Sequence, residues 1–457
     1  MDLKEKQVTI IGMAKSGLAA AKFLALRGAK VLVSDAKAKE KLAAEIEFLT
    51  SHNIAYETGG NSQEALLMTD LIVVSPGVPL EIAPLEQARK AGKKIIGEIE
   101  LAANFLKGNV VGITGSNGKT TTTTLVGKVL SEANFNTQVG GNIGTPLISL
   151  VDNSSDDSVT VVELSSFQLE STKSLRLKVA ALLNITPNHL DRYASFDDYV
   201  TAKKRIFLNQ QADDFAVLNA DDKLVSSMSD ITQAQKIFFS CKKELEKGIF
   251  LRSDQIIYRD SQGQETILLK VSEDVRLRGT HNLENVMVAL AVGIALNAPT
   301  ASMKNSIATF QGIEHRLEPV AEINGVNFVN DSKATSVDAA IKAIEAFPSN
   351  LILILGGKDK GSDYSPLRPL IAERVKQLIL IGAATEKIAA ALSGICPVER
   401  ASTMGDAVEK GYLAAKTGDT VLLAPACSSY DMFDNFEQRG QVFKSEVINL
   451  QNKHIVT

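Results

Sequence analysis

Short apolar runs rich in Val, Ile and Leu punctuate the chain, each closing on a polar or glycine-containing turn. Val8-Thr9-Ile10-Ile11 runs into Gly12 and then into an Ala-rich helical stretch from Leu18 to Leu26. Lys30-Val31-Leu32-Val33 ends at Ser34-Asp35, and Leu71-Ile72-Val73-Val74 ends at Ser75-Pro76-Gly77. Strands alternating with helices in this way predict a parallel, doubly wound sheet. A new pattern starts near Glu98, where a short helix precedes Val110-Val111-Gly112-Ile113. It continues through Val159-Thr160-Val161-Val162 and Val179-Ala180-Ala181-Leu182-Leu183, and a long helix follows His281-Asn282. A hinge around Gly312 to His315 leads to Asn350 to Leu355, Leu378 to Ile381 and Thr420 to Leu423. The pattern therefore predicts three α/β domains, over 1–97, 98–311 and 312–457. The polar run from Asp152 to Ser158 reads as a surface loop, and no short repeat or low-complexity tract is visible.

Length agrees, since 457 residues at roughly 150 per domain is about three domains. A content of 45% hydrophobic and 22% charged residues is that of a folded globular chain rather than a disordered one. The net charge of −4 offers no bulk attraction to nucleic acid or an anionic membrane, so neither is an expected partner. Cys241, Cys396 and Cys427 are widely spaced and lack C-x-x-C pairing, which argues against a disulfide framework or a thiolate metal site. The start, Met1-Asp2-Leu3-Lys4-Glu5-Lys6, is charged and carries no secretory signal. Apolar stretches such as Val286 to Leu296 fall short of the ~18 residues of a spanning helix. A cytoplasmic chain without membrane insertion is expected.

The most informative motif is Gly112-Ile113-Thr114-Gly115-Ser116-Asn117-Gly118-Lys119-Thr120, lying between a strand and a Thr-rich helix. A Gly-rich turn there lets backbone N–H groups converge on phosphates at a helix N-terminus. Lys119 would reach the β/γ-phosphates and the Thr120 hydroxyl would ligate Mg2+. The strict G-x-x-x-x-G-K-[ST] template is not met, because its first glycine position falls on Ile113. Glu163 closes the next apolar strand and would hold Mg2+, directly or through water, although strands often end in Glu for solubility alone. His189, in Asn184 to Tyr193, lies just beyond another strand end, where doubly wound sheets place ligands. By spacing alone it is an ordinary loop histidine.

Gly12-Met13-Ala14-Lys15-Ser16-Gly17, with Asp35 ending the next strand, has the form of a nucleotide-binding turn with Ala in the second glycine position. It fits NAD, FAD, another nucleotide or a purely structural turn. Asn330-Asp331-Ser332-Lys333-Ala334-Thr335, Gly356-Gly357-Lys358-Asp359-Lys360 and Pro425-Ala426-Cys427-Ser428-Ser429 each follow a strand in the last segment. Three polar strand-end loops on one sheet suggest an anion-binding rim, though turn chemistry favours the same residues. The architecture expected is thus a Rossmann-like N-terminal domain, a central P-loop ATPase-type parallel-sheet domain and a Rossmann-like C-terminal domain.

Taken together these segments resemble the Mur ligase family over essentially the whole chain. Gly115-Ser116-Asn117-Gly118-Lys119-Thr120 is similar to a signature of the entire family. Glu163-Leu164-Ser165-Ser166-Phe167-Gln168-Leu169-Glu170, Asn330 to Thr335 and Asn435-Phe436-Glu437-Gln438-Arg439-Gly440 resemble its D-glutamate-adding branch. The resemblance implies that Gly115, Ser116, Asn117, Gly118, Lys119, Thr120 and Thr121 bind ATP, with Asn285, Arg316 and Asp331. It implies two Mg2+ ions on Thr120, Glu163, His189 and Lys203, with Lys119, Glu163, His189 and Lys203 as the catalytic set. Lys203 matches a lysine this family carbamylates, which would make a cation into an oxygen ligand. Without that likeness Lys203 reads as a surface charge, on a helix that Ser195-Phe196-Asp197-Asp198 opens as a capping box.

The resemblance further implies that Ala14, Lys15, Ser16 and Asp35 grip a uridine diphosphate, and that Asn142, Ser165, Gln168 and His189 contact the rest of that substrate. Ala36-Lys37 depart from the polar residues of related enzymes. Lys333, Thr335, Lys360, Ser429 and Phe436 would hold D-glutamate. The implied reaction is ATP-dependent addition of D-glutamate to UDP-N-acetylmuramoyl-L-alanine by a monomer that builds peptidoglycan precursors. Open alternatives are a ligase of the same architecture adding another amino acid or extending folate, a nicotinamide-dependent oxidoreductase built on the Gly12 turn, and a P-loop switch that forms no amide.

Overall fold

The computed structural model describes every residue except 188–191, 278, 360 and 456–457. His189 and Lys360 therefore lie outside the described residues. The first apolar runs become β1 (Gln7–Ile11), β2 (Lys30–Asp35), β3 (Ala55–Thr58), β4 (Leu71–Val74) and β5 (Lys94–Gly97). They form one five-stranded sheet in the order β3-β2-β1-β4-β5, every pairing parallel. The order reverses between β1 and β4, the position at whose carboxyl ends doubly wound sheets place their ligands. The helix after β1 runs Lys15–Leu26, starting three residues ahead of the apolar stretch expected from Leu18. It starts early because the Gly12 turn feeds straight into it: a Cβ on Gly17 would meet the Gly12 carbonyl oxygen at 1.9 Å.

The central sheet comprises β6 (Asn109–Thr114), β7 (Asn136–Gly141), β8 (Ser158–Glu163), β9 (Val179–Leu182), β10 (Phe215–Asn219), β11 (Gln235–Ser240), β12 (Gly248–Arg252), β13 (Gln255–Arg259) and β14 (Glu265–Lys270). Its order is β14-β13-β12-β11-β10-β9-β6-β8-β7. The expectation of a parallel sheet holds from β7 to β12, and β13 and β14 correct it by pairing antiparallel. No helix separates β12 from β13. They join through Ser253-Asp254, with Ser253 at φ +54°, and so tight a reversal permits only antiparallel neighbours. Every residue of β8 is buried, as continuous apolar runs covered on both faces require. The polar run from Asp152 is only partly loop. Asp152 and Asn153 end a 3-10 helix (Leu147–Asn153), and Ser158 opens β8 fully buried.

The last sheet contains β15 (Glu318–Ile323), β16 (Val326–Asn330), β17 (Leu351–Gly356), β18 (Val375–Ile381), β19 (Val398–Ala401) and β20 (Thr420–Leu423), in the order β15-β16-β20-β17-β18-β19. Only β15 is antiparallel. Its two faces bury separate apolar layers, one around Leu353, Leu355 and Leu422, the other around Ile352, Ile354 and Phe443. Adjacent residues of one strand feed opposite layers, as the two-residue strand period dictates. By contacts the chain forms two compact units: Met1–Val275 with Glu284–Ala308, and Arg276–Leu283 with Thr309–Thr457. The first holds the first two sheets and the second holds the last.

Candidate active site

The Gly-rich loop expected to cradle phosphates leaves β6 and enters the helix Lys119–Glu132. Gly118 is the N-cap at φ +84°, and a Cβ there would meet Asn285 Oδ1 at 2.5 Å and Leu183 at 3.2 Å. Both the left-handed backbone and the close approach demand glycine. The neighbouring strand end shapes the loop. Ser116 N donates to the Asn184 carbonyl (2.9 Å), Asn117 N to Asn184 Oδ1 (2.9 Å), and Thr186 N to Ser116 Oγ (2.9 Å). Lys119 Nζ donates to the carbonyls of Gly115 (2.9 Å) and Ser116 (3.0 Å), which keeps its ammonium over the loop. Thr120 and Thr121 follow in the first turn, Thr121 buried and Thr120 half-buried. Asn285 joins from the long helix Thr280–Ala295, its Oδ1 accepting from Thr122 Oγ1 at 3.0 Å.

Glu163 closes β8 beside β6. Its Oε1 accepts from Asn142 Nδ2 at 2.8 Å. Its Oε2 is buried and, among the described residues, has no hydrogen-bond partner. A buried carboxylate oxygen beside a phosphate loop suits a divalent cation, which needs oxygen ligands and supplies the missing counter-charge. No cluster of three His, Cys, Asp or Glu side chains that could hold a metal occurs among the described residues. The Thr120 hydroxyl, in the first turn of the helix after the loop, is a further donor of suitable chemistry. Asn142 is held by its own backbone, its N–H donating to the Glu163 carbonyl at 2.9 Å.

Lys203 corrects the reading of it as a surface charge. It lies on the helix Phe196–Lys204, is only 1% exposed, and donates to the Gly115 carbonyl at 2.8 Å. Its ammonium packs 4.8 Å from the Tyr199 ring, whose hydroxyl meets Ser116 Oγ at 2.9 Å. Burial, reinforced by the Lys119 charge, pushes its pKa down to about 6, so near neutral pH it is mostly a free amine. The expected capping box at Ser195 is half made. Ser195 Oγ accepts from Asp198 N at 3.2 Å, but Asp198 Oδ2 takes the Ser195 hydroxyl instead of reaching back to its N–H. The reciprocal box is at Ser165 and Gln168. Gln168 Oε1 accepts from Ser165 N at 2.9 Å, so both residues serve the cap of their own helix.

In the first sheet Asp35 secures the nucleotide-type turn. Its carboxylate accepts from Met13 N (2.8 Å) and Lys37 N (2.9 Å). Ala14 is the N-cap of the following helix, with Lys15 exposed and Ser16 half-exposed. Lys15 Nζ donates to the Gly144 carbonyl at 2.5 Å, which brings this turn to the Asn142 loop.

The second unit carries the three strand-end loops, and they are neighbours because β16, β20 and β17 are adjacent. Arg439, 2% exposed, binds two of them. Its guanidinium donates to Ser332 Oγ (2.9 Å), Ser332 O (2.8 Å), Cys427 O (3.1 Å) and Ser428 O (3.3 Å). The Gly357 loop closes on the same place, since Lys358 N donates to Ser428 O at 2.9 Å. Ser429 is buried at the end of this ladder. Lys333 lies 5.9 Å from the Phe436 ring, and Thr335 follows with its N–H on the Lys333 carbonyl. Asp331 is raised to about 7, chiefly by burial, with Arg316 pulling the other way. Arg316 is set by a strained segment, His315 and Leu317 both having positive φ (+64° and +44°). Glu318 restrains that segment, accepting from His315 N (2.8 Å) and Asn330 Nδ2 (3.0 Å). Arg439, Asn184 and Tyr199 had no role assigned from sequence. Tyr199 carried a signal, standing one helical turn before Lys203.

A Gly-rich loop between a parallel strand and a helix, a buried Glu163 oxygen with no partner among the described residues and a buried lysine amine on that loop suit an ATP-dependent ligase. The chain belongs to the Mur ligase family. It matches the Mur ligase MurD-like N-terminal domain over residues 6–97, the Mur ligase middle domain over 113–293 and the Mur ligase glutamate ligase domain over 315–427. Among its relatives is a UDP-N-acetylmuramoylalanine–D-glutamate ligase of Acidobacterium capsulatum, 51% identical and covering 98% of this chain and 97% of the other. The protein of the same name from Koribacter versatilis is 48% identical over 98% of each chain. Among solved structures, the UDP-N-acetylmuramate-alanine ligase of Thermotoga maritima shares the fold at a TM-score of 0.59 and 17% identity, covering 97% of this chain and all of the other.

Proposed function

We propose that this chain joins D-glutamate to UDP-N-acetylmuramoyl-L-alanine at the expense of ATP, in peptidoglycan precursor synthesis. The observation carrying this reading is the 51% identity, over nearly the full length of both chains, to a ligase of that name. In this reading 1–97 binds the UDP substrate, 98–311 binds ATP and 312–457 binds the amino acid, in a cytoplasmic monomer. In the described residues no helix is long and apolar enough to cross a membrane.

The substrate carboxylate attacks the γ-phosphate, giving an acyl phosphate and ADP. The D-glutamate amine then attacks the activated carbonyl, and the tetrahedral intermediate expels phosphate. Lys119 holds its charge where the β/γ-phosphates lie, and the backbone N–H groups of 115–118 cradle them. Bound Mg2+, as two ions on Thr120, Glu163, His189 and carbamylated Lys203, would neutralise developing phosphoryl charge. The low pKa of Lys203 supports carbamylation, because only the free amine adds to CO2. In the first unit, Lys15, Ser16 and Ala14 approach the diphosphate while Asn142, Ser165 and Gln168 face the sugar and peptide end. Lys333, Thr335, Lys360, Ser429 and Phe436 take the amino acid, and Asn285, Arg316 and Asp331 take the nucleotide.

The test is phosphate release with UDP-N-acetylmuramoyl-L-alanine and a panel of amino acids. Stimulation by D-glutamate alone is expected. Stimulation by L-alanine, a diamino acid or L-glutamate would move the chain to another ligase, and none at all would sink the proposal. In the same assay Lys203→Ala should lose most activity and stay inactive at high bicarbonate. Near-normal turnover would remove the carbamate from the mechanism.

A further inference from the structure

Arg192 stands just after the loop that leaves β9, yet its side chain is spent on the first sheet. Its guanidinium donates to three consecutive carbonyls of the turn after β4: Pro76 (3.4 Å), Gly77 (3.4 Å) and Val78 (3.2 Å). One face of the guanidinium stacks on Phe167, 4.1 Å from the ring centroid. Phe167 is itself fixed. It lies on the helix capped reciprocally by Ser165 and Gln168, and its ring stacks on Tyr193 at 5.7 Å and 11°. A planar cation stacked by one face on an aromatic ring and forked onto carbonyls holds its direction far better than a lysine would.

The turn so held is the wall of the Gly12–Gly17 turn. Ser75 N donates to the Ile11 carbonyl (2.9 Å), Ser75 Oγ to the Gly12 carbonyl (3.0 Å), and Val78 N closes the turn on the Ser75 carbonyl (3.0 Å). A Cβ on Gly12 would meet Ser75 Cβ at 3.0 Å and Val78 Cγ2 at 3.1 Å, so turn and wall have no slack. A shift of the wall would therefore move the nucleotide-type turn. On its other side Tyr193 packs edge-on against Tyr199 at 5.4 Å, and Tyr199 reaches Ser116 of the phosphate loop.

We infer that Arg192 is a positioning residue for the UDP-bearing substrate: it clamps the turn at 75–78 to the Phe167 helix and so fixes the shape of the Gly12–Gly17 turn. The inference rests on the proposed role of that turn in gripping uridine diphosphate. Among the described residues Arg192 reaches Ser116 and Lys203 only through Phe167, Tyr193 and Tyr199, whereas it bonds the turn at 75–78 directly, so the larger effect falls on binding of the UDP substrate and the smaller on the chemical step.

The test is Arg192→Lys in the full-length enzyme, with each substrate varied in turn. KM for UDP-N-acetylmuramoyl-L-alanine should rise about tenfold or more, with kcat and the KM values for ATP and D-glutamate changed by less than about threefold, the signature of lost uniform binding. Phe167→Leu keeps apolar packing but removes the π face, and should shift the same KM in the same direction by less. It carries the test should Arg192→Lys fail to fold, as judged by thermal midpoint. A fall in kcat at constant KM, or an unchanged KM in both variants, overturns the inference. Calorimetric titration with UDP separates it from the reading beneath it. If the wild type binds UDP and the variants bind it equally well, only the role of Arg192 falls. If the wild type does not bind UDP, both fall together.

Discussion

Single residues in this protein take their chemistry from where they are buried. Lys203 and Lys119 have the same side chain, but Lys203 is 1% exposed and is pushed down to about 6. Asp331 moves the other way, up to about 7, because desolvation outweighs the pull of Arg316. The raised value has a consequence for stability. Between the ordinary aspartate value near 4 and about 7, the folded chain binds a proton that the unfolded chain has lost. Stability from this group is therefore full below pH 4 and is lost as pH rises through 7. Asp331→Asn should flatten that dependence, leaving the variant more stable than the wild type at pH 8 by on the order of a few kcal/mol. Urea unfolding at pH 5 and pH 8 measures it. Parallel curves for the two proteins would mean that Arg316 keeps Asp331 ionised throughout.

Among elements, the decisive feature is where strands end. The loops after β16, β17 and β20 carry the polar residues singled out from sequence, and strand order makes them neighbours. Arg439 holds two of these loops through backbone carbonyls, with Ser332 Oγ besides, and so reads loop shape instead of side-chain identity. Removing the guanidinium leaves buried carbonyls without donors. Arg439→Ala should destabilise the second unit by about 3–5 kcal/mol, seen as a lower thermal midpoint. Nucleotide-loop residues of the first unit, such as the Ser116–Tyr199 pair, should keep their protection from hydrogen exchange. A loss below about 1 kcal/mol would show that water takes over the carbonyls. The helices were readable where capping chemistry is local, yet Ser195 and Ser165 look alike in sequence. Only the Gln three residues after Ser165 has the reach to complete a box, whereas Asp198 is a methylene shorter than the Glu or Gln that box requires.

At the scale of the whole molecule the chain forms two compact units, with the segment Arg276–Leu283 belonging to the second. Unfolding should follow more than one step, since units with separate cores need not melt together. Scanning calorimetry with saturating ATP and Mg2+ should raise the transition of the unit that holds the phosphate loop. At a ligand concentration about 100 times its Kd the gain is about 2.7 kcal/mol. A single transition unmoved by nucleotide would contradict the assignment of ATP to this chain.

The sequence alone determined the alternation of strand and helix, the Gly-rich loop that leads from β6 into the helix carrying Lys119 and Thr120, and the carboxylate at the end of β8. Each is encoded by neighbours in the chain: an apolar run, a glycine where φ must be positive, a polar residue at a strand end. It did not determine the antiparallel end of the central sheet, because the short runs of β12 to β14 do not state their direction, which the tight reversal at Ser253-Asp254 sets. Nor did it determine that Lys203 is buried, that Arg439 ties loops far apart in sequence, or that Arg192 reaches back to the turn at 75–78. Those are contacts between residues roughly a hundred positions apart. Burial and charge environment are properties of what folds against a residue, so only the tertiary structure could decide them.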